Sequence, residues 1–258
     1  MFLCKKTWIL TNREITWSTL KKALSTMADS VLHGYDDTQV ALMGEECILI
    51  DRNDNVTGSA SKKTCHLMEN INKGMLHRAF SVFLFNSDGH LLLQQRSQAK
   101  ITFPGHFTNT CCSHPLHSPA ELEDNGAIGV KRAAQRKLQH ELGIDPRQLS
   151  IDNLHYLTRV HYLAENAPDR GTWGEHEIDY ILIAQKDVDV TPNLNEVESY
   201  TYVSQEQLRK MIEKSQVGNS LITPWFRLIE DRLLMGWWNN LHNIQQCRDS
   251  QIHRFCDQ

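Results

Sequence analysis

No apolar run in this 258-residue chain approaches the ~20 residues that a membrane-spanning helix needs, which excludes an integral membrane protein. Excess charge of one sign is missing as well. The 27 Lys and Arg stand against 31 Asp and Glu, so neither a nucleic-acid partner nor an acidic disordered tail is expected. The seven cysteines (Cys4, Cys47, Cys65, Cys111, Cys112, Cys247 and Cys256) are odd in number and include an adjacent pair. Neighbouring cysteines bridge only with strain, so no disulfide framework is expected and the chain reads as one from a reducing compartment. Residues 1–28 lack the apolar stretch and small-residue cleavage site of a secretory signal. They hold one arginine, Arg13, where a mitochondrial transit peptide is Arg-rich. A poorly ordered or targeting extension over residues 1–40 is expected, then a domain over 41–245 and a tail over 246–258. No internal repeat or low-complexity block interrupts this division.

What remains has the 40% hydrophobic content of an ordinary globular domain. Cys47-Ile48-Leu49-Ile50 running into Asp51-Arg52-Asn53-Asp54-Asn55 reads as a strand and a turn. Residues 79–85 form a second strand, which Asp88-Gly89 turns back into Leu91-Leu92-Leu93. Ala127, Val130, Ala134, Leu138 and Leu142 make an approximate helical stripe over 126–142, stopped by Gly143. Strands follow at 155–163 and 175–184, with 166–171 as the loop between them. Ser204 and Gln207 form a capping box for a helix through Ile212, and Thr223-Pro224 opens a last helix reaching Trp238. The fold class is α/β (α+β), a mixed β-sheet flanked by helices.

Three constellations carry chemistry. In Thr102-Phe103-Pro104-Gly105-His106-Phe107-Thr108-Asn109-Thr110-Cys111-Cys112-Ser113-His114-Pro115, two thiols and a histidine sit in irregular backbone of the kind that carries function. Cys112 with His114 suits a nucleophile, an acid/base thiol or half a metal site, against the plainer reading of a buried thiol beside a surface histidine. In Trp173-Gly174-Glu175-His176-Glu177-Ile178-Asp179-Tyr180, strand alternation puts three carboxylates on one face. That face opens on water, as a solvated edge, or on a metal. His66 and His77 are eleven residues apart, too far for one helical turn. Joined to His114, Glu175 and Glu177 they would make an N3O2 set suited to octahedral Zn, Mn or Fe.

The helix ending Arg136-Lys137-Leu138-Gln139-His140-Glu141-Leu142-Gly143 resembles the end of a Nudix box whose carboxylates are mostly lost. Lys137 and His140 stand where two box glutamates belong, Ile128 where the upstream one does, and only Glu141 matches. Such a helix should hold a single diphosphate-bound Mg²⁺ rather than activate water for hydrolysis. Together with Phe-Thr-Asn-Thr-Cys-Cys-Ser-His-Pro, Trp-Gly-Glu-His-Glu and Ile222-Thr223-Pro224-Trp225-Phe226, it makes the chain from about Glu45 to Trp238 resemble the type I isopentenyl-diphosphate Δ-isomerases, close to the animal enzymes. The resemblance implies a Nudix-like fold and a proton-shift isomerase of isoprenoid and sterol biosynthesis, with isopentenyl diphosphate as its small-molecule substrate.

It further implies catalytic roles for Cys112 and Glu177, and one divalent ion (Mg²⁺, Mn²⁺ or Zn²⁺) on His66, His77, His114, Glu175 and Glu177. Glu141 would hold the Mg²⁺ of the diphosphate, and Lys62, Arg96, Lys100, Ser113, Tyr162 and Trp225 would contact substrate. His106 departs from the Cys or aromatic residue of relatives without touching these roles. A cytoplasmic setting and a monomer are expected, and the ending Arg254-Phe255-Cys256-Asp257-Gln258, which is not a peroxisomal tripeptide, does not support a peroxisomal one. The rival activities are a Nudix-type pyrophosphohydrolase and a non-catalytic metal-binding scaffold.

Overall fold

The computed structural model describes residues 31–166, 171–216, 218 and 221–256. Residues 1–30 of the expected extension and 167–170 of the expected loop lie outside these. A first helix, α1 (Asp37–Leu42), is capped by the Asp36 carboxylate, which accepts from the N–H groups of Thr38 and Gln39. Strands β1 (Glu46–Ile50) and β2 (Val56–Ser61) pair antiparallel across the expected turn. There the Asp51 carboxylate accepts from the N–H groups of Asn53 and Asn55. Two short helices follow, α2 (Lys62–His66) and α3 (Met68–Ile71). Strand β3 (His77–Phe85) turns through Gly89 (φ 75°) into β4 (Leu91–Arg96), which carries Arg96 on the strand itself.

The loop of thiols contains two short strands, β5 (Phe107–Thr108) and β6 (Cys111–Ser113). Helix α4 (Ile128–Leu142) starts two residues after the expected 126, because Gly126 and Ala127 both take positive φ. It ends as expected at Gly143, whose φ of 63° makes the left-handed C-cap. Strands β7 (His155–Glu165), β8 (Gly174–Gln185) and β9 (Val197–Val203) come next, then α5 (Gln205–Gln216). The capping box is present: Ser204 Oγ accepts from the Gln207 N–H, and Gln207 Oε1 accepts from the Ser204 N–H. The last helix runs through α6 (Pro224–Ile229), a π-helical stretch at Glu230–Leu234 and α7 (Met235–Trp238). Residues expected as a tail include β10 (Ile252–Arg254), which lies parallel to β7.

The sheet order β10-β7-β8-β3-β1-β2 puts β3 at its centre. One edge of β3 is paired parallel to β8 along its whole length, from His77↔Glu177 to Phe85↔Gln185. The other edge is shared by β1 at His77, β6 at residues 80–82 and β4 at Phe85. Every residue of β3 is buried, so alternate side chains feed two cores. Phe80, Val82 and Leu84 pack on the Val130, Ala134 and Leu138 stripe of α4. Phe83 and Phe85 pack with Phe226, Trp237 and Trp238 of the last helix. Each such side chain contributes about 1.5–3 kcal/mol on burial, which fastens both helices to the sheet. Among the described residues no helix is long and apolar enough to cross a membrane.

Candidate active site

Four segments distant in sequence meet where β3 and β8 begin. Helix α2 is capped by Ser61, which accepts from the Thr64 N–H. One turn of it brings the His66 ring back to its own backbone, where His66 Nδ1–H donates to the Lys62 carbonyl at 2.7 Å. That bond leaves Nε2 as a ligand atom. His77 opens β3 directly beside Glu177 of β8, and His114 follows β6. Gly174 precedes the two glutamates for a steric reason. A Cβ at this position would lie 2.4 Å from Met68 Sδ and 2.8 Å from the Ala164 carbonyl.

The carboxylate face of β8 is buried, so the solvated-edge alternative is overturned. Glu175, Glu177 and Asp179 are 5%, 1% and 0% exposed: His66 lies against Glu175, His77, His114 and Tyr162 lie against Glu177, and the Ser81 hydroxyl donates to Asp179. His66 Nε2 is 2.7 Å from Glu175 Oε2, His114 Nε2 is 2.7 Å from Glu177 Oε1, and His77 Nε2 is 3.2 Å from the same oxygen. One ligand atom from each of the five residues falls within a 4.8 Å group. His66 Nε2, both His77 nitrogens and Glu175 Oε2 are buried without an aligned hydrogen bond. Buried polar atoms left so cost about 1–3 kcal/mol each, and their convergence fits a cation bound between them. Three imidazoles and two carboxylates are a divalent-metal donor set.

Charges in the cluster respond to one another. Burial lowers the His77 pKa, but the Glu177 carboxylate 3.2 Å away and the charges of Cys65 and Glu175 outweigh it and push it up to about 9. His114 falls well below the usual histidine range through burial and the nearby His77 and His66. Glu177 stays below the usual carboxylate range despite burial, held by His77 and by the Tyr162 hydroxyl, which donates to Oε2 at 2.5 Å. The Cys112 thiol is pushed well up by burial and by the charges of Asp179 and Glu177.

A cleft opens beside the cluster. Its walls include Lys62, Arg96, Lys100, Cys112, Ser113, His114, Glu141, Tyr162, Glu175, Glu177 and Trp225, so every expected site residue lies in the cleft or, as His77, directly behind it. Arg96 is fixed by the carbonyls of Thr102 and Phe103, which accept from its Nη2 and Nε at 2.7 and 3.1 Å. Phe103 adopts φ 48° in the same stretch, a strained conformation for a non-glycine residue. Lys100 Nζ lies 2.6 Å from Glu196, yet burial and the neighbouring Lys62, Arg96 and Lys137 bring its pKa down to about 8. Lys137 pairs with Glu141 at 3.3 Å, and Gln94 donates to the other Glu141 oxygen at 3.0 Å.

Several supporting residues have no sequence signal of their own. Glu196 comes from an unpatterned loop and still holds both Lys100 and Gln39. A chain of hydrogen bonds from Thr223 to Thr108 to Asn109 ends where the Trp225 indole N–H donates to Asn109 at 3.3 Å. Two separate motifs are thereby joined, which neither reveals alone.

The Nudix domain family matches residues 75–226. Over 220 residues the chain is 57% identical to isopentenyl-diphosphate Δ-isomerase 1 of Mesocricetus auratus, covering 85% of this chain and 96% of that one. The chain belongs to the isopentenyl-diphosphate Δ-isomerase family. The Mus musculus isopentenyl-diphosphate Δ-isomerase 1 is 56% identical with the same coverage. The Gibberella zeae isopentenyl-diphosphate δ-isomerase is 52% identical over 237 residues, 90% of this chain and 91% of that one. These three animal and fungal relatives therefore align with this chain over more than nine-tenths of their length, and the mixed sheet flanked by helices is the Nudix fold.

Proposed function

We propose that the chain interconverts isopentenyl diphosphate and dimethylallyl diphosphate. The observation that carries this reading is a single cleft lined both by cations suited to a diphosphate and by paired proton-transfer groups. Lys62, Arg96 and Lys100 would take the diphosphate, with the Ser113 hydroxyl beside them. The alkene end of the substrate would then lie against Cys112, Tyr162, Glu177 and Trp225. Protonation of the terminal CH₂ puts positive charge on the tertiary carbon. Loss of a proton from the next carbon toward the diphosphate then forms the internal double bond.

Cys112 and Glu177 would exchange these two protons with the substrate. Their resting states differ as such an exchange requires: burial keeps the thiol protonated, while His77 and Tyr162 keep the carboxylate ionised. The indole face of Trp225 would stabilise the tertiary cation by about 0.5–2 kcal/mol. The five donors His66, His77, His114, Glu175 and Glu177 would hold one divalent ion (Mg²⁺, Mn²⁺ or Zn²⁺), which supplies a fixed positive charge beside Glu177. Glu141, steadied by Lys137 and Gln94, would meet a Mg²⁺ arriving with the diphosphate. The rival hydrolase reading lacks its carboxylates, since α4 carries Ile128, Lys137 and His140 at those positions. The unpatterned cysteines support a cytoplasmic setting.

Proton NMR of isopentenyl diphosphate with the protein in D₂O and Mg²⁺ tests the proposal. Deuterated dimethylallyl diphosphate should form, and a Cys112→Ala variant should form none. Unchanged substrate, or release of phosphate, would overturn it.

A further inference from the structure

Strand β8 carries a histidine between its two glutamates, and alternation turns that side chain to the opposite face. His176 meets His161 of β7 there, diagonally across the antiparallel register in which His161 faces Ile178 and Leu163 faces His176. The two rings stack at 5.1 Å with Nε2 to Nε2 at 3.0 Å. Just past β10, Cys256 joins them, and ligand atoms of all three residues lie within 4.8 Å of one another. The three side chains border one cavity together with Asp51.

We propose that His161, His176 and Cys256 form a second divalent-metal site, of the zinc class, on the face of β8 opposite the site above. Two imidazoles and a thiolate are donors that a borderline-soft ion prefers, and three protein ligands leave a fourth position for water. Two nitrogens at ~2.0–2.1 Å from a tetrahedral ion stand about 3.3 Å apart, so the existing 3.0 Å spacing needs little change. His176 is already oriented: its Nδ1–H donates to the Met75 carbonyl at 2.8 Å, which directs the Nε2 lone pair toward His161.

His161 needs one adjustment. Arg254 Nη1 can only donate, so at 3.1 Å it makes His161 Nδ1 an acceptor and leaves the proton on Nε2, shared with His176. Loading the site moves that proton to Nδ1 and turns the guanidinium aside, while the Cys256 thiol releases its proton to solvent. No electron changes hands. The bound ion ties β7, β8 and the end of the chain together.

The first site has no sulfur among its five donors, so a thiolate-to-metal charge-transfer band reports the second alone. The full chain, stripped by chelation, would be titrated with Co²⁺ while absorption and bound Co²⁺ per chain are read. Two equivalents should bind, one with the band. Cys256→Ser should lose the band and one equivalent with isomerisation unchanged, and His161→Gln should do the same. Arg254→Gln, whose amide oxygen can accept from Nδ1–H, should take the second equivalent more tightly than wild type. Absence of the band from the Co²⁺-loaded wild-type chain, or a band that survives Cys256→Ser, would overturn the assignment.

Discussion

Raising the pH through 8 should weaken substrate capture without slowing the chemical step, and Lys100 is the cause. Its ammonium is 9% exposed and shares a small volume with Lys62, Arg96 and Lys137, opposed by Glu196. Burial and those cations bring its pKa from 10.5 to about 8, a bias of about 3 kcal/mol against the charged form. Between these two values the unfolded chain binds more protons than the folded one, so Lys100 makes folding more favourable as pH rises through this window. Substrate capture runs the other way.

A charge-assisted hydrogen bond to the diphosphate contributes about 1.5–3 kcal/mol, so its loss lowers kcat/KM roughly ten- to a hundred-fold. The kcat/KM profile reports the free enzyme and should fall above about pH 8. The kcat profile should stay flat there, because bound diphosphate keeps the proton on Lys100. A Lys100→Arg variant cannot lose its charge and should lack the alkaline limb whatever its absolute rate. Initial rates from pH 6.5 to 9.5, followed by NMR, decide the matter. A flat wild-type kcat/KM, or a limb retained in Lys100→Arg, would refute the reasoning.

Cys112→Ser should keep its metal by elemental analysis yet lose nearly all turnover, since a hydroxyl is a far poorer proton-transfer group; normal turnover would remove Cys112 from the mechanism. Glu177→Gln should lose turnover and metal together if, as proposed, one side chain serves both roles, and intact metal content in the purified variant would separate them. Glu141→Gln should raise the Mg²⁺ concentration needed for half-maximal rate while leaving the ion of the histidine cluster in place. An unchanged Mg²⁺ titration would dissociate Glu141 from the diphosphate. Gly174→Ala should lower stability by about 1–3 kcal/mol through its contacts with Met68 and the Ala164 carbonyl, read as a lower melting temperature.

Local chemistry explains which parts of the structure could be read from sequence. Gly143, the Ser204–Gln207 box and the Asp88-Gly89 turn act on their own neighbours, and each behaves as its residue type requires. The buried carboxylate face of β8 was not legible, because alternation says which side chains share a face but not what covers it. His66 and His77 offered no local reason to meet; the parallel β3–β8 register and the single turn of α2 bring them together. The short strands β5 and β6 looked like irregular loop, since two or three residues leave no periodic trace. Glu196 and β10 are fixed by partners far away in the chain, Lys100 and β7, and carry no mark of their own.

The hydrogen bond between Trp225 and Asn109 also bears on how the protein is made. All five donors of the histidine–carboxylate cluster precede Trp225 in the chain, the last of them by about 50 residues. At a synthesis rate of ~5–20 residues per second, that interval is roughly 2.5–10 s. All five donors are therefore synthesised before the part of the cleft wall that Trp225 supplies. During that interval the side of the cleft that Trp225 lines stays open, an approach for the ion that the cluster would hold.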